Sequence, residues 1–356
     1  NGISGFELWA HESTNDSTWQ VADIHSSGGG RANGIVVMGT RLYFEATNGI
    51  SGYELWAHES TNDSTWQVAD IRSGIDSGFV NGNVVMGTRL YFESNNGISG
   101  YELWAHESTN DSTWQVADIR SGTSSGSAKD IVVMGTRLYF EATNGISGFE
   151  LWAHESTNDS TWQVADIYSS GGGEANDIVV MGTRLYFEAR DGFSDYELWA
   201  HESTNDSTWR VADIRSGTSS GYAENIVVMG TRLYFEARDG ISGYELWAHE
   251  STNDSTWQVA DIYSGISSGY AEDIVVMGTR LYFSARDGIS GYELWVHEST
   301  NDSTWQVADI RSGISSGYAN DIVVMGTRLY FEAESGSGSD GRELHMMEIE
   351  HTITYN

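Results

Sequence analysis

ELWAHESTNDSTWQVADI, residues Glu245–Ile262, is one of seven near-copies of a single block. The others begin at Glu7, Glu54, Glu102, Glu150, Glu197 and Glu293, at steps of 47 or 48 residues. A fixed period of this length means that one small structural unit has been copied in tandem. Within the block, two segments rich in aromatic and aliphatic residues flank the polar loop ESTNDS, the pattern of a β-hairpin.

Working outward adds two further strands. In the sixth full copy, Asp273–Val276 runs into the turn Met277-Gly278-Thr279 and then Arg280–Phe283. The turn Arg286–Gly291 follows, then Tyr292–His297, the ESTNDS loop and Thr304–Ile310. Every gap holds Gly, Asn, Asp or Ser in turn-forming order. No segment carries a sustained apolar period of 3.6, so helices are not expected. The 41 glycines and the absence of proline mean that the turns rely on glycine.

Four antiparallel strands per repeat predict the blade of a β-propeller. The fold class is therefore all-β, a seven-bladed propeller of four-stranded antiparallel blades, with eight blades as the alternative. Residues 1–334 form one such body. Residues 1–24 supply only a third and a fourth strand, and 321–334 only a first and a second. Joining them completes the closing blade, with 335–356 left as a degenerate strand and tail carrying RELHMM, Arg342–Met347. In the alternative the tail completes that blade, and residues 1–24 are a spare half-blade able to pair with another subunit. The chain begins in mid-repeat without Met, as a processed or excised segment does.

LYFEARDG (Leu233–Gly240) and GYELWAHESTNDSTWQVADI (Gly243–Ile262) resemble the kelch pattern. With Glu236-Ala237-Arg238 where kelch repeats carry a glycine pair, the unit is more similar to the ELW-type repeats of prokaryotic surface and secreted proteins. That resemblance implies a propeller and a place outside the cytoplasm.

Composition narrows the partners. Fifty-one acids face 18 basic side chains, of which Lys129 is the one lysine, for a formal charge of −33. Nucleic acid and anionic membrane surfaces are poor partners for such a chain. No apolar run reaches the length of a membrane-spanning helix. There is no cysteine, hence no disulfide framework.

Propeller topology sorts the loops onto two ends. One carries the DGISG turns and the Gly/Ser connections from fourth to first strand; the other carries the MGT turns and ESTNDS loops. The fourth-to-first connection alone varies between copies, and variable loops on a rigid scaffold are where binding resides. It brings aromatics at Phe79, Tyr222, Tyr270 and Tyr318, with Arg72, Arg120, Arg215 and Arg311 nearby, as ligand-binding candidates. The Asp-Gly turns at Asp191, Asp239 and Asp287, with Asn at Asn1, Asn48, Asn96 and Asn144, are weak calcium candidates, since each offers too few oxygens for a calcium loop. No other cofactor is implied.

Asn-Asp-Ser at Asn15, Asn62, Asn110, Asn158, Asn205, Asn253 and Asn301 matches a glycosylation acceptor and equally a side-chain-stabilised hairpin turn. The repeated histidines (His11 to His297) read as structural hydrogen-bonding groups, and Trp247 and Trp257 as core. No nucleophile elbow, P-loop or zinc-protease motif is present, so no enzymatic activity is expected. The function expected is a non-enzymatic extracellular scaffold for multivalent adhesion or surface assembly, binding protein or glycan. The alternatives are a lectin with one carbohydrate pocket per blade and a polysaccharide-acting enzyme.

Overall fold

A computed structural model describes residues 5–12, 14–193, 195–334 and 342–349. All its regular elements are strands. In the sixth copy, Glu272–Met277, Arg280–Ala285, Glu293–Glu298 and Ser303–Ala308 pair in that order, each antiparallel to the next. Aromatic and β-branched residues meet across the ladder, as in Val275↔Tyr282 and Phe283↔Trp295. Gly278 in the MGT turn takes φ +66°, a left-handed conformation that glycine adopts without a Cβ penalty.

Two compact units divide the chain, Asn1–Ala175 and Asn176–Asn356. The first holds a two-stranded hairpin, Leu8–Glu12 with Ser17–Ala22, followed by three four-stranded sheets. The second holds three four-stranded sheets and a final three-stranded one, Asn320–Met325, Arg328–Ala333 and Glu343–Glu348.

The core lies between successive sheets. Tyr234, Leu246 and Ala248 of one sheet pack on Ile274, Leu281, Phe283 and Trp295 of the next. Both faces of a sheet are therefore apolar, which explains why the second and third strands read as nearly continuous buried runs.

In the final sheet the second strand has the edge on which the other copies carry an ELW strand. Its strand Arg328–Ala333 carries Glu343–Glu348 on that edge, in the register Leu329↔Met347, Phe331↔His345 and Ala333↔Glu343. The strand Leu8–Glu12 pairs with Ser17–Ala22. RELHMM keeps enough alternation to add a strand, although His345 and Met347 replace the repeat's Trp and His.

Candidate functional site

Each fourth-to-first connection is tied down by the glutamate that opens the ELW block. Glu245 is fully buried; its Oε2 accepts the Ile262 N–H at 2.7 Å and its Oε1 the Gly269 N–H at 2.8 Å. Glu54, Glu102, Glu150, Glu197 and Glu293 repeat the clamp. Burial pushes the Glu245 carboxyl up to about 7, and the donated backbone N–H groups oppose that shift. The sequence reading missed these residues. Their signal was an acid at an inward position of an apolar strand in every copy.

The clamp presents an aromatic side chain two residues before the next first strand. Tyr222, Tyr270 and Tyr318 hold left-handed backbones at φ 60°, 60° and 49°, and Phe79 does so at 56°. Tyr222 donates its N–H to the Tyr196 carbonyl at 3.0 Å, which sets its ring beside that of Tyr196. In the second unit this yields a continuous row, Tyr196, Tyr222, Tyr244, Tyr270, Tyr292 and Tyr318. Neighbouring ring centroids are 5.7, 5.6, 5.8, 5.8 and 5.6 Å apart. A shorter row in the first unit joins Tyr53, Phe79 and Tyr101 at 6.1 and 6.2 Å.

The arginines over these rings are not the expected ones. Arg238 sits 4.9 and 4.8 Å from the Tyr222 and Tyr244 centroids, and Arg286 5.0 and 5.2 Å from those of Tyr270 and Tyr292. Arg190 covers Tyr196 and Arg342 covers Tyr318. Of the arginines singled out from sequence, Arg72 pairs with Asp76 at 3.2 Å and Arg311 with Glu334 at 2.6 Å. Arg120 and Arg215 lie against Gly145 and Gly240, where a Cβ would collide with their guanidinium groups. The readable signal was the change from Thr-Asn-Gly or Asn-Asn-Gly in early copies to Arg-Asp-Gly from Arg190 onward.

Beside the row lies a chain of carboxylates. Glu224 and Glu236 face each other across a strand pair. Burial, and after it Glu272, Glu224 and Glu245, pushes Glu236 up to about 8, while the Ala271 N–H at 2.8 Å pulls the other way. Glu188 is likewise pushed up to about 8 by burial, then by Glu224 and Asp177. Burial also raises Glu224 and Glu272, with Arg238 and Arg286 as their opposing cations.

The remaining candidates lie in locally hydrogen-bonded turns. Asp239 Oδ1 accepts from the Ile241 and Ser242 N–H groups and the Ser242 hydroxyl at 2.8, 2.9 and 3.0 Å; Asp287 does the same with Ile289 and Ser290. Asp191 accepts from the Phe193 N–H. Asn48, Asn96 and Asn144 make the equivalent turns, and Asn1 lies outside the described residues. Asn253 Oδ1 accepts the Ser255 N–H at 3.1 Å, with Asp254 left-handed at φ 54°. The loops of Asn15, Asn62, Asn110, Asn158, Asn205 and Asn301 follow it.

His249 Nδ1 lies 2.9 Å from Thr256 Oγ1, and burial lowers its pKa. Trp247 is 8% exposed. Trp257 is half-buried under Arg232, whose guanidinium stands 5.5 Å from the ring centroid.

No protein-family model matches this sequence, and no curated protein does. Solved structures do. A puromycin hydrolase aligns with TM-score 0.55 and 13% identity over 90% of this chain and 52% of its own. A puromycin-hydrolyzing peptidase of Mycobacterium tuberculosis gives 0.56 and 10% over 89% and 52%. Oligogalacturonate lyase from Vibrio parahaemolyticus gives 0.54 and 8% over 88% and 87%. The chain thus spans about half the length of the puromycin-hydrolysing enzymes it matches.

At these identities the likeness concerns the fold. Together with the repeated four-stranded antiparallel sheets, it makes the chain a member of the β-propeller class with about seven blades. It also corrects the expected function. The same blades occur in hydrolases and a lyase, so this architecture does not mark a non-enzymatic adhesion scaffold or a lectin with one pocket per blade.

Proposed function

We infer that the second unit is a recognition surface for a basic, extended polypeptide. The observation that carries this reading is the carboxylate chain Glu188, Glu224, Glu236 and Glu272, in which burial, and after it the neighbouring carboxylates, pushes Glu188 and Glu236 up to about 8, alongside a row of six tyrosines. Lysine or arginine side chains placed against Glu224 and Glu272, the half-buried members of the chain, relieve the like-charge repulsion, and the tyrosine edges offer apolar contact to the stems. The formal charge of −33 draws such a ligand in from a distance. Two of the matching enzymes are peptidases by name, and a peptide ligand is in keeping with them. One continuous track, rather than a separate pocket per blade, is what the spacing supports.

The test is fluorescence anisotropy with a labelled oligolysine, and oligoglutamate as control. Saturable oligolysine binding that weakens with salt is expected, with a loss of roughly tenfold in the Glu224→Gln/Glu272→Gln variant. Asp206→Asn/Asp254→Asn, on the ESTNDS loops, removes the same charge elsewhere. An equal loss in that control pair reduces the effect to net charge and ends the proposal, as does preferential binding of oligoglutamate.

A further inference from the structure

In two sheets of the second unit a pair of row aromatics holds an arginine of the same sheet. The Arg238 guanidinium lies 4.9 and 4.8 Å from the Tyr222 and Tyr244 ring centroids, and its Nε donates to the Ser220 carbonyl at 3.4 Å. Arg286 repeats this between Tyr270 and Tyr292, donating to the Ser268 carbonyl at 3.1 Å. Two tilted rings and one backbone carbonyl thus define a slot for a flat cation.

The first unit contains the same slot without its arginine. Phe79, Asn95 and Tyr101 stand at the positions of Tyr222, Arg238 and Tyr244 in the repeat. The Phe79 N–H donates to the Tyr53 carbonyl at 3.0 Å, as the Tyr222 N–H does to Tyr196, and both residues are left-handed. The Phe79 and Tyr101 rings are 6.2 Å apart at 35°, against 5.6 Å and 39° for Tyr222 and Tyr244. Tyr53 stacks on Phe79 at 10°, as Tyr196 stacks on Tyr222 at 9°. Asn95 is neutral and turned to its own loop, where its Oδ1 accepts the Gly97 N–H at 2.7 Å. Arg72 does not take its place: it pairs with Asp76 at 3.2 Å and lies against Gly97, as Arg215 lies against Gly240. Phe79 is 36% exposed.

The next sheet of the unit shows that the position draws a cation even without the arginine. There Thr143 stands where Arg238 does, and the Lys129 ammonium lies 5.0 Å from the Phe149 centroid instead. In the Phe79 sheet the residue at the Lys129 position is Asn81, so both sources of a cation are replaced by neutral amides. The negative charge remains. Glu93 faces Asn81 across the ladder, and Glu45 accepts the Val80 N–H at 3.0 Å. Burial raises the Tyr101 pKa, Glu93 adds to the rise, Arg72 opposes it, and Glu45 adds to it again.

We propose that Phe79 and Tyr101 form a binding slot for an external guanidinium group, which takes the place that Arg238 and Arg286 fill in the second unit. Its plane lies against the two rings while an N–H donates to the Ser77 carbonyl, the counterpart of the Ser220 carbonyl. A planar guanidinium combines stacking with directed donation, which a compact, strongly hydrated ammonium does poorly. The slot shares no residue with the track inferred for the second unit, so the two readings stand or fall separately.

The test is NMR titration of the whole chain with its phenylalanine rings labelled with carbon-13, the Phe79 signal being identified by its loss in Phe79→Leu. The probes are ethylguanidinium and ethylammonium at equal ionic strength. A saturable shift of the Phe79 signal is expected, with ethylguanidinium binding roughly fivefold or more tightly than ethylammonium. Asn95→Arg, which restores the side chain of the filled slots, should move the Phe79 signal without ligand and weaken ethylguanidinium binding roughly tenfold or more. Asn95→Gln should bind as the parent does, and unmoved signals from the other phenylalanines report that each variant is folded.

The peptides Gly-Arg-Gly and Gly-Lys-Gly separate the sources of the group. Tighter binding of Gly-Arg-Gly than of ethylguanidinium assigns the slot to arginine in a polypeptide, and equal binding assigns it to a small guanidino compound. Three results overturn the proposal. They are equal responses to the two probes, as diffuse attraction to a chain of charge −33 would give, ethylguanidinium binding undiminished in Asn95→Arg, or no saturable shift.

Discussion

The carboxylate of Glu245 reaches across 24 residues of chain to the backbone N–H of Gly269, 2.8 Å away, and the same oxygen atoms hold Ile262 and Tyr263. A single side chain thereby organises the connection that carries Tyr270. Gly269 is required because a Cβ there would lie 2.6 Å from Glu245 Oε2 and 2.7 Å from the Ile262 Cβ.

Removing that acceptor leaves buried donors without partners, at about 1–3 kcal/mol for each unsatisfied group. Glu245→Ala is therefore expected to lower stability by about 3 kcal/mol or more, measured by urea denaturation. Gly269→Ala should be destabilising through collision at the same point. A Glu245→Ala midpoint equal to the parent's would show that water replaces the carboxylate without loss.

Glu236 predicts an inverted pH response. Its folded pKa, pushed up to about 8 by burial and then by neighbouring carboxylates, lies above the ordinary glutamate value. The folded state binds the extra proton, so this group's contribution is fully present below about pH 4.5 and is lost as pH rises through about 8. Glu236→Gln mimics the protonated form. It should raise the melting temperature relative to the parent at pH 8.5 and change it little at pH 4.5. Equal shifts at the two pH values would rule out protonation of Glu236 in the folded protein.

The two environments of one tryptophan position give a paired test. Trp247 is 8% exposed within the packing of two sheets, and truncating such a side chain typically costs about 3–5 kcal/mol. Trp9, at 44% exposure, loses far less apolar contact. Trp247→Ala should be the more destabilising of the two by at least about 2 kcal/mol in denaturant titrations. Similar losses would indicate that Trp9 is covered in solution.

Charge sets the response to salt. At −33 the self-repulsion of the chain weakens as the Debye length contracts from about 30 Å at 0.01 M to about 3 Å at 1 M. The melting temperature should be higher in the concentrated salt. Calcium and magnesium at equal concentration should act alike, because Asp239 and Asp287 already spend an oxygen on three donors each. A calcium-specific rise would revive the Asp-Gly turns as metal ligands.

Much of the architecture is legible in the repeat alone. The period set the size of the unit, alternation around Trp247 and Phe283 placed the strands, and Gly278 marked a turn whose left-handed backbone suits glycine. The recognition surface was legible only in part. The variable connection pointed to Phe79, Tyr222, Tyr270 and Tyr318, yet the partners that complete their row, Tyr196 at a strand start and Tyr244 and Tyr292 just before one, read as ordinary strand aromatics.

Local sequence decides what short-range sterics and alternation control: strand, turn, and which side chains face inward. It does not decide which of two similar strands takes an edge, since RELHMM and LWAHE both satisfy the pairing rule. Nor does it decide which arginine lies on which ring, since Arg215 and Arg238 are equally basic. Those outcomes depend on contacts between residues tens of positions apart, such as Glu245 with Gly269 and Arg238 with Tyr222, whose distances exist only once successive sheets have packed.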